Sequence, residues 1–265
     1  MHFKDKVVWI TGASSGIGAE LALQLSAQNA MLILTARNTH TLKEVQQKCL
    51  MQTSFCKIVM ADLCNEIETA ELVRTALEQF GKIDFVFLNA GVTQRSLAFE
   101  TEISVYKSLM AINFFASVII TQKLFPFFKQ QGSGHFIAIS SVAGLIGFPY
   151  RSGYAASKHA LMGYFETLQT ENAVEGVNYT IVSPGRINTP ISASALTKDG
   201  SPHLKNDIGQ LKGIHVDKCV SKILKAVENK KKHIIIARGE FWLWIIKKLM
   251  PPLFYKIANR IGMDS

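Results

Sequence analysis

Seven short apolar runs, separated by longer stretches whose apolar residues recur at helical spacing, constrain this chain more than any single motif does. The runs lie at 7–11, 31–35, 56–60, 83–88, 135–140, 178–183 and 233–237, and the helix-period stretches at about 16–28, 39–50, 66–80, 101–130, 152–175 and 216–229. Strands this apolar are buried on both faces, and a parallel neighbour is reached only through a crossover, so the alternation predicts repeated strand–helix–strand units. The expected fold class is therefore α/β: a doubly wound, seven-stranded parallel sheet with helices on both faces. No low-complexity linker or internal repeat interrupts the series, and one long irregular excursion falls at about 185–215. With 265 residues, 48% of them apolar, the chain can bury a sizeable core in a single domain. That domain is expected to span 1–240, with 241–265 as an apolar and basic extension.

The first run passes directly into Thr11-Gly12-Ala13-Ser14-Ser15-Gly16-Ile17-Gly18, and a helix pattern follows. Glycines at a strand-to-helix turn let the backbone approach a pyrophosphate, and the helix N-terminus behind them favours negative charge. The spacing departs from G-x-G-x-x-G, and a glycine-rich turn also occurs as a turn alone; its place after the first strand favours a dinucleotide. The second run ends at Ala36-Arg37-Asn38, where a NAD-selective site would carry an acid for the ribose 2′-hydroxyl. A guanidinium suits a 2′-phosphate instead, so Arg37 points to NADP(H) over NAD(H), a solvated strand-end arginine being the alternative.

Asp62-Leu63 closes the third run and Asn89-Ala90-Gly91 follows the fourth, both at carboxyl ends, where open α/β sheets bind ligands. Asp62 suits the adenine amino group, although it equally fits a helix cap, and Asn89 equally fits a turn. Asn113 interrupts the apolar helix stretch 110–115 with an amide that needs a partner, a water or a purpose. Tyr154 and Lys158 stand four apart in a helix pattern, so a phenol and an ammonium share one face. A nearby cation favours the phenolate, which makes the pair suited to proton exchange; alone, the same spacing also arises on ordinary helix surface. Ser141, at the end of the fifth run, would lie beside that helix. With no nucleophile elbow around it, hydrogen bonding is a better role than attack.

The 29 Lys and Arg exceed the 20 Asp and Glu by nine, and Lys222, Lys225, Lys230, Lys231, Lys232, Lys247, Lys248, Lys256 and Arg260 concentrate that excess toward the C-terminus. Without a helix-turn-helix, zinc or RNP signature, nucleic-acid binding is not expected. Four cysteines without CxxC or zinc spacing imply reduced thiols and no metal site. The N-terminus shows no signal-peptide pattern, and no run reaches the ~18 apolar residues that span a bilayer, so the expected location is cytoplasmic or peripheral to a membrane. Residues 241–261 mix Trp, Phe and Tyr with lysines. A basic amphipathic segment of this kind fits a membrane interface, but Pro251-Pro252 splits it into two short helices at most, which favours packing on the domain, lining the substrate entrance or joining subunits.

In their order, Thr11-Gly12-x-x-x-Gly16-Ile17-Gly18, Asn89-Ala90-Gly91, Asn113, Ser141, Tyr154-x-x-x-Lys158 and Pro184-Gly185 resemble the short-chain dehydrogenase/reductase family over about residues 5–237. The tail is similar to those of members related to the hydroxysteroid dehydrogenases and to dehydrogenase/reductase member 7. The resemblance implies a Rossmann-type fold and a catalytic set in which Tyr154 is the general acid/base and Ser141 holds the substrate oxygen. Lys158 would lower the Tyr154 pKa and hold the nicotinamide ribose, and Asn113 would hold a relay water. It implies cofactor contacts from Gly12, Ser14, Ser15, Gly16, Ile17 and Gly18 to the pyrophosphate. Arg37, Asn38, Asp62, Leu63, Asn89, Ala90 and Gly91 would face the adenosine side, and Pro184, Gly185, Ile187 and Thr189 the carboxamide side, with Tyr154 and Lys158 completing the set. Many NADP-dependent members carry a second basic residue within the glycine turn; here Ala13-Ser14-Ser15 stands there, so the NADP(H) preference rests largely on Arg37.

The implied activity is NADP(H)-dependent interconversion of a hydrophobic ketone or aldehyde and its alcohol, in a homodimer or homotetramer. The apolar residues Ile187, Ile191, Leu196, Leu204, Ile208 and Leu211 of the excursion either close over a hydrophobic substrate or pack the loop to the domain. A 3-oxoacyl thioester reductase served by an acidic carrier protein is an alternative with the same chemistry. A non-catalytic cofactor-binding regulator is an alternative of another class, and the presence of Ser141, Tyr154, Lys158 and Asn113 argues against it.

Overall fold

Val7–Thr11 (β1) is buried along its whole length, as the central strand of a sheet covered on both faces must be. The structure, a computed structural model, describes residues 2–171, 174–205 and 208–263, leaving out the side chains of 208 and 259–263. After β1 come α1 (Gly16–Ser26), β2 (Met31–Thr35), α2 (Thr39–Leu50), β3 (Cys56–Ile58), α3 (Glu66–Glu78) and β4 (Phe85–Leu88). A long helix follows, made of α4 (Ile103–Met110), a π turn (Ala111–Phe115) and α5 (Ala116–Gln131). The second half runs β5 (Gly134–Ile139), α6 (Ser152–Glu171), β6 (Val177–Pro184), α7 (Ile208–Leu211), α8 (Val216–Glu228) and β7 (His233–Ile236), ending in α9 (Gly239–Leu249) and α10 (Pro251–Met263).

All seven strands are parallel, in the order β3-β2-β1-β4-β5-β6-β7. Alternate residues build the two sides of the core. Val8, Ile10, Leu32, Leu34, Phe87 and Ile137 face α1, α2 and α8 through Leu21, Leu25, Leu42 and Ile223. Val7, Trp9, Ile33, Val86, Phe136 and Ile181 face α3, α5 and α6 through Leu72, Ile120, Leu124, Leu161 and Phe165. Local signals set the helix starts: Asn38 accepts from the backbone N–H groups of His40 and Thr41, and Asn65 from those of Ile67 and Glu68, each cap contributing about 1 kcal/mol. The strand order reverses between β1 and β4, which opens a crevice at their carboxyl ends.

The edge strand expected at 56–60 pairs only as far as Ile58. The helix expected through 175 ends at Glu171; residues 172–173 lie outside the described residues, and Gly176 turns the chain with φ +88 before β6. A further difference concerns membrane-spanning potential. The 29-residue helix Ile103–Gln131 is long and apolar enough to cross a bilayer, contrary to the expectation that no such segment exists. Interspersed polar residues hide it from a search for uninterrupted runs. In this fold it packs through Ile120, Leu124 and Phe128 against the sheet.

Pro251 opens α10 at a position where a helix needs no N–H, so the tail forms two helices, as its proline pair implies. Phe254, Leu243, Trp244 and Ile246 pack on Val142, Ile146 and Phe148, the segment that follows β5. Phe254 is 3% exposed, and its burial contributes about 2 kcal/mol to holding the pair in place. Lys247 Nζ adds a charge-assisted bond, donating to Leu145 O at 2.9 Å.

Candidate active site

The turn after β1 has little room for side chains. Gly12 has φ +65, and a Cβ there would lie 2.7 Å from Ala90 Cα. A Cβ on Gly18 would lie 2.2 Å from Gly12 O and 2.5 Å from Asn89 Nδ2. Thr11 and Asn89 stitch this turn to the end of β4. Asn89 Nδ2 donates to Thr11 O (3.0 Å) and Gly12 O (3.1 Å), while Thr11 Oγ1 accepts from the N–H groups of Asn89 (3.0 Å) and Ala90 (3.1 Å). Of the two roles open to Asn89, the local one is made by these bonds: its amide is a strut for the glycine turn.

Four expected adenosine-side residues stand together at the ends of β2 and β3. Arg37 Nη1 lies 4.0 Å from Asp62 Oδ2, with the arginine side chain 76% exposed. Asn38 caps α2, Asp62 Oδ1 accepts from Cys64 N at 3.0 Å, and Leu63 is buried. Arg37 is thus a solvent-facing cation held loosely by one carboxylate, available to a ligand that carries more charge.

At the end of β5, Ser141 caps a short 3₁₀ turn (Val142–Gly144), its Oγ accepting from Ala143 N at 3.1 Å and donating toward Pro184 O at 3.3 Å. Tyr154 sits in the first turn of α6 and its phenol is hydrogen-bonded to Ser141. Burial pushes the phenol above its ordinary pKa, while the Ser141 bond and the charge of Arg151 pull it back down. Lys158, one turn further, is 4% exposed, and burial pushes its ammonium down to about 8. Its Nζ donates to Ile139 O at 2.8 Å and lies 6.0 Å from the Tyr154 ring centroid. Lys158 therefore leans on the end of β5, while Ser141 and Arg151 pull the Tyr154 phenol down.

Asn113 occupies the π turn and is fully buried. Its Oδ1 accepts from Val92 N and its Nδ2 donates to Val92 O and Ser157 Oγ, each at 2.9 Å. Ser157 in turn donates to Tyr154 O at 2.9 Å. The amide that lacked an evident partner in the sequence is the bracket joining the loop after β4 to the helix that carries Tyr154 and Lys158.

A cavity of about 290 Å³ brings together Gly12, Ser14, Ser15, Gly16, Ile17, Asn89, Ala90, Gly91, Ser141, Tyr154, Lys158, Pro184, Gly185, Ile187 and Thr189. Gly18, Arg37, Asn38, Asp62, Leu63 and Asn113 stand outside that lining. A Cβ on Gly16 would meet Thr189 at 3.3 Å, so the threonine faces the glycine turn closely. Of the apolar excursion residues, Ile187 and Ile191 line the cavity, whereas Leu204 and Leu211 are exposed and the Ile208 side chain lies outside the described residues.

Several lining residues have no motif to announce them. Thr93 and Arg95 follow β4, Phe148 and Arg151 precede α6, and Gln210 and Glu240 arrive from the excursion and the tail. Arg151 alone carried a signal, three residues before Tyr154 on the same side of a helix start. Glu240 accepts from the N–H groups of Arg186 (3.2 Å) and Arg238 (3.3 Å), which pins the start of α9 to the cavity wall.

The family model described as short chain dehydrogenase matches residues 6–200. Human dehydrogenase/reductase SDR family member 7 is 33% identical over 267 residues, covering 97% of this chain and 78% of that protein. Member 7B from Danio rerio is 36% identical over 264 residues, covering 97% and 85%. Among solved structures, a short chain dehydrogenase/reductase from Burkholderia phymatum in complex with NAD superposes with a TM-score of 0.86 at 22% identity, covering 96% of each chain. A short-chain dehydrogenase from Sphingobium yanoikuyae in complex with NADPH gives 0.76 at 24% identity, covering 87% of each.

Proposed function

This chain belongs to the short-chain dehydrogenase family, and from that premise we propose that it is an NADP(H)-dependent oxidoreductase interconverting a hydrophobic ketone or aldehyde and its alcohol. The observation that carries the reading is the shared cavity, lined by the glycine turn and by Ser141, Tyr154 and Lys158 together. The fit to a dinucleotide rests on the turn itself, where Gly12 and Gly18 leave backbone unshielded by any Cβ and α1 begins directly behind. Ser14, Ser15, Gly16 and Ile17 would hold its pyrophosphate, Thr189 its carboxamide and Lys158 its ribose. Arg37 would meet a 2′-phosphate, which is the support for NADP(H) over NAD(H). When bound, the nicotinamide supplies or takes the hydride.

In the reducing direction Tyr154 gives its phenolic proton to the substrate oxygen, and Ser141 donates a hydrogen bond to the same atom. The phenolate left behind is steadied by the field of Arg151, since the single Ser141 proton is given to the substrate oxygen. Lys158, pushed down to about 8, exchanges protons readily near neutral pH and so can help return one to Tyr154. Asn113 and Ser157 keep the start of α6 at a fixed distance from the loop after β4, which holds Tyr154 in register with the cavity.

The test is turnover of hydrophobic ketones, aldehydes and 3-oxoacyl thioesters by the full chain with NADPH or NADH, alongside Tyr154→Phe. Loss of about 10²–10⁴-fold in kcat with cofactor affinity kept is expected. Activity that survives the substitution removes the mechanism, and a preference for thioesters selects the carrier-borne alternative.

Peripheral contact with a membrane is a second reading, favoured by the tail. Trp242, Leu249, Met250, Leu253 and Tyr255 are exposed on α9 and α10 beside Lys247, Lys248 and Lys256, a combination suited to an anionic bilayer surface.

A further inference from the structure

Two guanidinium groups, of Arg95 and Arg151, border the substrate side of the cleft beyond the catalytic set. Arg151 directly precedes α6, and its Nη1 donates to the buried Thr93 hydroxyl at 2.8 Å. Arg95 lies two residues past Thr93, its guanidinium carbon 5.7 Å from the centroid of the Tyr150 ring. Tyr150 itself is held at φ +62, a left-handed conformation that costs a bulky residue about 1–2 kcal/mol. Its carbonyl accepts from Ser96 N at 3.2 Å.

A buried network fixes the two segments to each other. Gln94, with no exposed surface, donates through Nε2 to Ser96 Oγ (3.1 Å) and Thr101 Oγ1 (2.9 Å), and its Oε1 accepts from Gly153 N at 2.7 Å. Both arginines are therefore placed by fixed structure, unlike arginines at the ends of solvated chains. Both have other partners as well, which an incoming anion would join or displace. Among the described residues lining the cleft the carboxylate is that of Glu240, and backbone N–H groups together with Arg186 already engage it. Among the described residues the balance of charge along this wall is positive.

We propose that the substrate is an apolar oxo acid or hydroxy acid, whose carboxylate is held by Arg95 and Arg151 while its carbonyl or hydroxyl oxygen meets Tyr154 and Ser141. This rests on the oxidoreductase reading and narrows it. Arg151 immediately precedes the helix whose first turn carries Tyr154, and both line the same cavity, so the carboxylate lies on the wall beside the reacting oxygen. The charged end thereby fixes which face of the carbonyl is presented.

The experiment compares aryl oxo acids carrying one to six methylenes between carbonyl and carboxylate with their methyl esters, using wild type and Arg95→Met. A short-spaced acid is expected to exceed its ester by about 10–100-fold in kcat/KM, consistent with a charge-assisted pair. In Arg95→Met that ratio is expected to fall toward unity, chiefly through KM, and Arg95→Lys to recover part of it. Should Arg95→Met fail to fold, inhibition of the wild type by aryl carboxylates against isosteric amides reads the same preference. Equal use of acids and esters, an unchanged ratio in the folded variant, or equal inhibition by acids and amides overturns the proposal. Turnover of neutral ketones alone leaves the oxidoreductase reading standing and overturns the anion site, whereas absence of turnover on any carbonyl compound removes both.

Discussion

Replacing Lys158 with methionine is expected to stabilise the protein while removing its activity. The ammonium is 4% exposed, and burial takes it from 10.5 to about 8, so at pH 7 its charge costs the folded state about 3 kcal/mol. Methionine is of similar length and carries no charge, but it leaves Ile139 O without the Nζ donor at 2.8 Å, a loss of about 1–2 kcal/mol. The net gain at pH 7 is therefore about 1–2 kcal/mol. Its pH dependence is the sharper signature. Between about 8 and 10.5 the unfolded lysine is protonated and the folded one is not, so wild-type stability rises with pH across that window; below it the penalty is present in full. Methionine has no such dependence, and the advantage of Lys158→Met should shrink by about 2 kcal/mol between pH 7 and pH 9.5. Urea unfolding of both proteins followed by circular dichroism at the two pH values measures this difference. An advantage that is the same at both, or a variant less stable than wild type at pH 7, refutes the reasoning.

Arg37→Asp should move the ratio of kcat/KM for NADPH over NADH by about 10–100-fold toward NADH, because it replaces a phosphate partner with a carboxylate that repels phosphate; an unchanged ratio in steady-state kinetics would count against Arg37 as the selector. Gly18→Ala should lower stability by about 1–3 kcal/mol in chemical denaturation, since its Cβ would stand 2.2 Å from Gly12 O, and a wild-type midpoint would show that the turn has room to give. Liposome flotation should carry the full chain with anionic vesicles and lose it on deletion of 241–265, and equal recovery in the soluble fraction would leave those helices as domain packing only.

The apolar runs announced the strands because a sheet covered on both faces imposes buried residues without interruption, and β1, β2 and α2 begin and end where their sequence patterns do. Edges were less legible: β3 pairs with β2 only as far as Ile58, although β2 runs on to Thr35 and the apolar run of β3 to residue 60. Motif residues that act through backbone shape, such as Gly12 and Gly18, were visible, since no other residue type tolerates those contacts. The direction of Lys158 was not visible. Spacing put it on the face of Tyr154, but the nearest acceptor for its ammonium is the carbonyl at the end of β5. Thr93, Arg95 and Glu240 were equally hidden, because each reaches the cleft from a segment whose neighbours in sequence carry no related pattern.

The π turn at Ala111–Phe115 also governs where a change in chain length is tolerated. At 3.6 residues per turn, an uninterrupted helix would set Val105 and Phe128 about 140° apart, yet both are buried. Taking up one extra residue in the wider turn brings that angle down to about 40°. A one-residue deletion within 111–115 is expected to restore a regular helix with the same angle of about 40° between the two positions. What it would lose is the placement of Asn113 against Val92 and Ser157. The wider turn thus serves the site through Asn113, whose bonds to Val92 and Ser157 a helix shortened there by one residue would give up.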